Sequence, residues 1–150
     1  MKIILLDNIR SMNNVGAIFR TADGAGWDRV ILTGYTPTPP RQQISKTALW
    51  AEKSVKWEYF EDPFKAVEYY RKEGFTVLAA EKGKTSVDYK KLWTLNFELW
   101  TLVLVVGNEV SWVSPTLLEA SDHIIHLPMH GEKSSLNVAV AAGVLMYYFS

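Results

Sequence analysis

The 150-residue sequence predicts a single α/β domain built on a parallel sheet. Three observations carry this. Apolar runs of strand length alternate with helical segments through most of the chain. Most of those runs are apolar at every position, as in strands covered on both faces. The length fits one core, since single cores run to about 100–200 residues.

The first run is KIILL at 2–6. A helix follows at about 14–25, with Asn13 or Asn14 able to cap it and Gly24 and Gly26 able to end it. On a 100° wheel Val15, Ile18, Phe19 and Ala22 share one stripe, while Arg20 lies nearly opposite beside Gly16 and Ala17. Arg20 there is either a solvated side chain pairing with Asp23 or a functional cation, and Gly16 and Ala17 would let a ligand or another chain come close. A second buried strand is read at 29–33 (RVILT). The segment 34–43, with three prolines and no apolar period, is an exposed loop carrying Arg41. After a helix at 44–52, residues 54–60 alternate, with Val55, Trp57 and Tyr59 opposite Lys56 and Glu58. That is an edge strand.

Pro63 opens a helix over 63–73, and 75–80 (FTVLAA) is a further strand. Residues 83–99 show no readable element. A strand at 101–106 (TLVLVV), a helix at 114–120 opened by Pro115, a strand around 122–127 (DHIIHL) and a helix at 135–149, capped by Ser134 or Ser135, complete the order. From Val138 onward the last helix has no polar face. Exposing Val138, Val140, Val144, Leu145, Met146 and Phe149 would forfeit on the order of 9–18 kcal/mol. A second subunit is therefore expected to cover helix 135–149, making a homodimer; burial within the monomer is the alternative.

Hydrophobic residues at 48% and charged residues at 21%, with nineteen aromatics, exclude a disordered chain. Sixteen basic and sixteen acidic side chains balance, so contact with nucleic acid has to be local rather than a whole-molecule basic field. With no cysteine there is neither a disulfide framework nor a thiolate metal site, which fits a cytoplasmic protein. The first apolar run is too short for a signal peptide, and the longest, at 138–149, is too short for a bilayer.

Three stretches carry chemistry. The loop after the first strand lacks the glycines of a dinucleotide fold or P-loop, which leaves an ordinary Rossmann site unsupported. His123, His126 and His130 have no acidic neighbour at ligand spacing, so no metal site is expected. In VVGNEV at 105–110 a buried strand ends in a glycine, an amide and a carboxylate, and open parallel sheets bind ligands beyond strand carboxyl ends. Glu109 is therefore a candidate, with helix capping as the alternative. The third stretch, HLPMHGEKSSLNVAVAAGVLMYYF, is a strand end, a polar turn and a helix.

These stretches resemble, in this order, the SpoU/TrmH family of RNA ribose 2′-O-methyltransferases within the SPOUT superfamily. The first motif is similar to NNVGAIFRTADGAG (13–26), the second to LVVGNE (104–109) and the third to LPMHGEKSSLNVAVAAG (127–143). The resemblance covers nearly the whole chain. It implies a parallel α/β sheet whose C-terminal segment is threaded into a deep trefoil knot, an exception to the usual rules of chain connection. It further implies S-adenosyl-L-methionine held by main-chain groups at Ala79, Gly107, Leu127, Met129 and Leu136, and two subunits packed through their last helices.

By motif position the resemblance assigns Arg20 to the phosphate or the 2′-hydroxyl, with Asn14, Glu109, Ser135 and Asn137 organised around it. Family proposals also make the arginine a base; a guanidinium keeps its proton in ordinary protein surroundings, which favours the anchoring role. One departure stands out. Trp112 occupies a position where the family usually has glycine, and there it would narrow the cofactor pocket, stack on an RNA base, or pack on the next helix. With no appended RNA-binding domain expected, Arg10, Arg20, Arg41, Lys46 and Lys84 are candidate phosphate ligands. The expected activity is ribose 2′-O-methylation of structured RNA, tRNA before rRNA. The rivals are a non-catalytic knotted RNA-binding or assembly module and a knotted base methyltransferase.

Overall fold

The computed structural model describes residues 1–95 and 99–150. The elements run β1 (Lys2–Asp7), α1 (Met12–Gly24), β2 (Arg29–Thr33), α2 (Gln42–Ala48), α3 (Ala51–Ser54), β3 (Lys56–Phe60), α4 (Pro63–Lys72) and β4 (Thr76–Ala80). They continue with β5 (Val87–Asp88), a 3₁₀ helix (Tyr89–Leu95), β6 (Leu102–Val106), α5 (Pro115–Ala120), β7 (His123–His126) and α6 (Val138–Tyr148). Seven strands form one sheet in the order β3-β2-β1-β6-β4-β7-β5, and every pairing is parallel. The expected parallel α/β sheet and the edge position of β3 both hold. In the stretch 83–99 the structure adds β5 and the 3₁₀ helix, while residues 96–98 lie outside the described residues.

Alternation along the strands sorts the core into two layers. Ile4, Leu6, Val30, Leu32, Leu78 and Leu104 pack beneath α1, α2 and α6. Ile3, Leu5, Ile31, Val77, Val103 and Val105 face α4 and α5. The stripe Val15, Ile18, Phe19 and Ala22 of α1 is wholly buried.

Local chemistry moves several boundaries. Ser11, not Asn13 or Asn14, caps α1, its side chain accepting from the Asn14 N–H at 3.2 Å. This frees the Asn14 side chain for another partner. The expected helix 44–52 is two pieces, because Leu49 and Trp50 take positive φ values of 48° and 72°. The break turns Ala48, Ala51, Glu52 and Val55 all inward. Helix α6 starts at Val138 rather than 135 because Asn137 caps it, accepting from the Ala139 and Val140 N–H groups; Ser134 and Ser135 stay in the exposed loop.

The chain covers half of α6 by itself. Leu145, Met146 and Phe149 are buried, and Trp27 Nε1 donates to the Met146 carbonyl at 2.9 Å. Of the six residues expected to lie bare, only Val140 and Val144 do, and Tyr147 joins them. Among the described residues no helix is long and apolar enough to cross a membrane.

Candidate active site

The register sets where the loops leave the sheet. Asp7 pairs with Thr33, Leu6 and Ala80 both pair with Val106, and Ala80 pairs with Ile125. The loops that begin at Asn8, Gly34, Glu81, Gly107 and Leu127 therefore emerge side by side at the carboxyl edge, where open parallel sheets bind their ligands.

Buried polar side chains bind these loops together, as buried groups must be paired. Asp7 Oδ2 accepts from the Ser114 N–H at 2.7 Å and from the Ser114 hydroxyl at 2.8 Å. Asn108, 3% exposed, uses its whole amide. Its Nδ2 donates to the Asn8 carbonyl at 2.6 Å and to the Tyr35 hydroxyl at 2.7 Å, and its Oδ1 accepts from the Val110 and Ser111 N–H groups at 2.7 and 2.9 Å. Glu81 Oε2 accepts from the Val113 N–H at 3.0 Å. Gly107 allows the turn to fold back, since a Cβ there would lie 2.1 Å from the Val113 nitrogen and 2.3 Å from the Trp112 carbonyl carbon. Backbone cannot yield to such a contact.

On this scaffold three of the five expected catalytic residues meet. Glu109 Oε1 accepts from Asn14 Nδ2 at 3.0 Å, and Asn14 Oδ1 accepts from Asn137 Nδ2 at 3.2 Å. Glu109 Oε2 also accepts from the Arg10 N–H at 3.3 Å. This row of carboxylate and two amides ties α1, the loop after β6 and the start of α6. Partial burial pushes the Glu109 carboxyl up, but hydrogen bonds from Asn14 and from the N–H groups of Glu109, Arg10 and Ser11 outweigh it and hold the group below its ordinary value.

Arg20 and Ser135 stand outside the row, both exposed and neither side chain hydrogen-bonded among the described residues. The Arg20–Asp23 pair does not form; Asp23 Oδ1 accepts from Ser54 Oγ at 2.9 Å instead. Gly16 is not open to a ligand either. It is buried where α1 crosses α2, and a Cβ there would lie 2.0 Å from Thr47 Oγ1 and 2.3 Å from the Ile44 carbonyl oxygen.

Of the expected cofactor contacts, Gly107, Leu127 and Met129 are half-buried at the carboxyl edge and Leu136 is exposed beside them. Ala79 is wholly buried in β4 between Val105 and Ile124, and the strand first reaches the surface at Ala80 and Glu81. Among the described residues neither the Met129 nor the Leu136 N–H donates to another backbone group, and Leu127 and Val138 supply half-buried apolar surface close by in the core. Free main-chain donors beside apolar walls fit an adenosine-bearing ligand.

Two open cavities, of about 410 and 390 Å³, lie at the opposite edge of the sheet, around Arg29 and Lys56 and around Thr76 and His123. They begin at strand amino ends, away from these loops. His126 Nδ1 lies 2.8 Å from Ser86 Oγ.

Sequence reasoning missed Asn108, Asp7 and Glu81, which shape the loops without belonging to the expected set. Their signal was position, a polar residue directly at or after an apolar run at strand carboxyl ends. The candidate phosphate ligands Arg10, Arg20, Arg41, Lys46 and Lys84 are all exposed. The ion pairs of the described residues, Arg29–Glu58 and Arg71–Asp122, involve none of them.

Fold and site together define an open parallel α/β protein with a row of two amides and a carboxylate at the carboxyl edge of its sheet. The chain belongs to the SpoU rRNA Methylase family, whose model matches residues 1–147. It is 33% identical over 148 residues to a tRNA (guanosine(18)-2′-O)-methyltransferase of Aquifex aeolicus, covering 97% of this chain and 66% of that protein. A putative TrmH family tRNA/rRNA methyltransferase of Staphylococcus aureus strain COL is 30% identical over 148 residues, 98% of this chain and 57% of that one. This chain thus spans between about half and two thirds of the length of these relatives. Among solved structures, the S-adenosylmethionine-bound rRNA methyltransferase of Sinorhizobium meliloti superposes with a TM-score of 0.89 at 27% identity, over 99% of this chain and 55% of that one. The TrmH/SpoU tRNA modifying enzyme of A. aeolicus gives 0.85 at 30% identity, over 99% and 73%.

Proposed function

We propose that the protein transfers a methyl group from S-adenosyl-L-methionine to a ribose 2′-hydroxyl in structured RNA, with tRNA the preferred class. The Glu109–Asn14–Asn137 row at the carboxyl edge carries this reading, because it joins residues of all three family motifs in one place. Relatives that methylate tRNA and a structural neighbour that binds the methyl donor support it.

In this reading main-chain groups at Ala79, Gly107, Leu127, Met129 and Leu136 hold the cofactor. The bound sulfonium supplies an electrophilic methyl, and the protein's task is to bring the ribose oxygen into line with it. Arg20 anchors the phosphate or the 2′-hydroxyl. Glu109 fixes the Asn14 amide, Asn14 fixes Asn137, and Ser135 completes the loop that faces the ribose. Placement of this kind supplies about 7–11 kcal/mol, against the 10²–10⁴-fold typical of general-base help, so positioning dominates.

The same reading includes a trefoil knot in the C-terminal segment and a homodimer through α6, set in the cytoplasm. The knot is supported by the strand order, in which β4 lies between the later strands β6 and β7 before the chain returns to pack α6 on α1. The dimer is supported by the bare stripe of α6.

Calorimetric titration with S-adenosyl-L-methionine, followed by incubation with total RNA, nucleoside digestion and mass spectrometry, tests the function. A ribose-methylated nucleoside is expected. Absence of cofactor binding at high micromolar concentration would favour the non-catalytic module, and a methyl found on a base would favour the base methyltransferase.

A further inference from the structure

Trp112 sits at φ +61° with its side chain in solvent, 62% exposed. A bulky residue in the left-handed region is an outlier, whereas glycine adopts that backbone freely. The ring contributes little to the core, so packing does not account for it. The backbone beneath is fixed: Asn108 and Trp112 exchange N–H···O bonds at 3.1 and 2.8 Å, and the Asn108 side chain holds the intervening N–H groups of Val110 and Ser111.

Asn108 also holds a second exposed ring. Tyr35, 60% exposed, accepts from Asn108 Nδ2 through its hydroxyl at 2.7 Å, and its N–H donates to Asn8 Oδ1 at 3.0 Å. Both rings stand at the carboxyl edge, beside Glu109 of the amide row. Exposed Arg41 shares the loop after β2 with Tyr35, exposed Arg10 lies on the loop after β1, and neither is ion-paired among the described residues. Exposed rings with no other ring stacked on them among the described residues, beside cations with no ion pair there, match the alternation of base and phosphate in a nucleic-acid strand.

We propose that Trp112 and Tyr35, both positioned by Asn108, are stacking platforms for unpaired bases next to the nucleotide being methylated. This rests on the RNA-methylating reading above. It assigns the substrate class at this edge as a single-stranded loop rather than a continuous duplex, whose stacked bases cannot reach a side-chain ring.

The test is anisotropy of fluorescein-labelled total tRNA with the full chain, using Trp112→Ala, Trp112→Phe and Trp112→Gly, each also followed by thermal melting. Trp112→Ala is expected to raise the RNA Kd about tenfold while the calorimetric Kd for S-adenosyl-L-methionine moves less than twofold. Trp112→Phe keeps a ring and is expected within twofold of wild type. Trp112→Gly removes the left-handed penalty, so it is expected to melt no lower than wild type yet bind RNA as weakly as the alanine variant; a merely structural role would not separate these two readouts. Equal RNA affinity in wild type and Trp112→Ala overturns the platform. Methyl transfer by the wild type is scored separately, so failure of the functional reading shows as no ribose methyl in any RNA.

Discussion

At Glu109 the Asn14 amide and the backbone N–H groups of Glu109, Arg10 and Ser11 compete with burial, and the hydrogen bonds win. A carboxyl whose folded value lies below its unfolded one stabilises the fold above the unfolded value of about 4.3, and that contribution is lost as pH falls through the lower folded value. The isosteric Glu109→Gln variant lacks the charge at every pH. The gap in urea midpoint between wild type and this variant is therefore expected to be wider at pH 7 than at pH 3, because the contribution of the charge shrinks as pH falls below the unfolded value. An identical gap at both values would mean the charge contributes nothing. Arg20 is the converse case, an exposed cation with no partner among the described residues. Arg20→Ala is expected to leave cofactor affinity within a few-fold and to lower single-turnover methyl transfer on the order of 10²-fold, because losing an anchor misplaces the reacting oxygen. Full transfer by that variant would remove Arg20 from the reaction.

At the scale of elements, the contact between α1 and α2 depends on the absence of a side chain. Thr47 Oγ1 reaches across to the Asn13 carbonyl at 2.9 Å, over the spot that a Cβ on residue 16 would fill. Gly16→Ala is expected to lower stability by about 1–3 kcal/mol in urea titration, as overpacking against backbone does. Wild-type stability in the variant would mean that α2 moves aside at no cost. The sequence could show that Gly16 permits an approach but not which body approaches, since that follows from how α2 is laid on α1. Capping shows the same limit. Ser11, Asn13 and Asn14 are all able cappers, and the choice is made by Glu109, about a hundred positions away, which claims Asn14. What local periodicity controls was legible: the strands other than β5, the buried stripe of α1, the prolines opening α4 and α5, and the edge position of β3. Elements set by tertiary contacts were not, among them the break at 49–50, the cap at Asn137 and the depth of Ala79 inside β4. The motif residues were legible one by one, but only the folded chain's side-chain hydrogen bonds show that Asn14, Glu109 and Asn137 touch while Ser135 and Arg20 stand outside the row.

For the whole molecule, the open question is what lies against α6. Its inward side is closed by Leu145, Met146 and Phe149 against α1 and Trp27, which leaves less apolar surface to cover than the six side chains considered from sequence. The remainder is a narrow stripe, Val140 at 52%, Val144 at 41% and Tyr147 at 59% exposed, spaced at i, i+4 and i+7 and so aligned on one face. A second copy presenting the same stripe would cover it through an isologous contact, the commonest way a soluble chain closes an apolar face. Charge placed in that contact has to be desolvated without a partner. Tyr147→Glu is accordingly expected to raise the dimer dissociation constant tenfold or more, seen by light scattering as a fall from twice the 17.0 kDa chain mass toward once that mass as the protein is diluted through the micromolar range. A conservative Tyr147→Phe change, which keeps the ring, is expected to leave the mass unchanged. Identical masses for wild type and Tyr147→Glu at every concentration would mean that the stripe is covered by something other than a second copy.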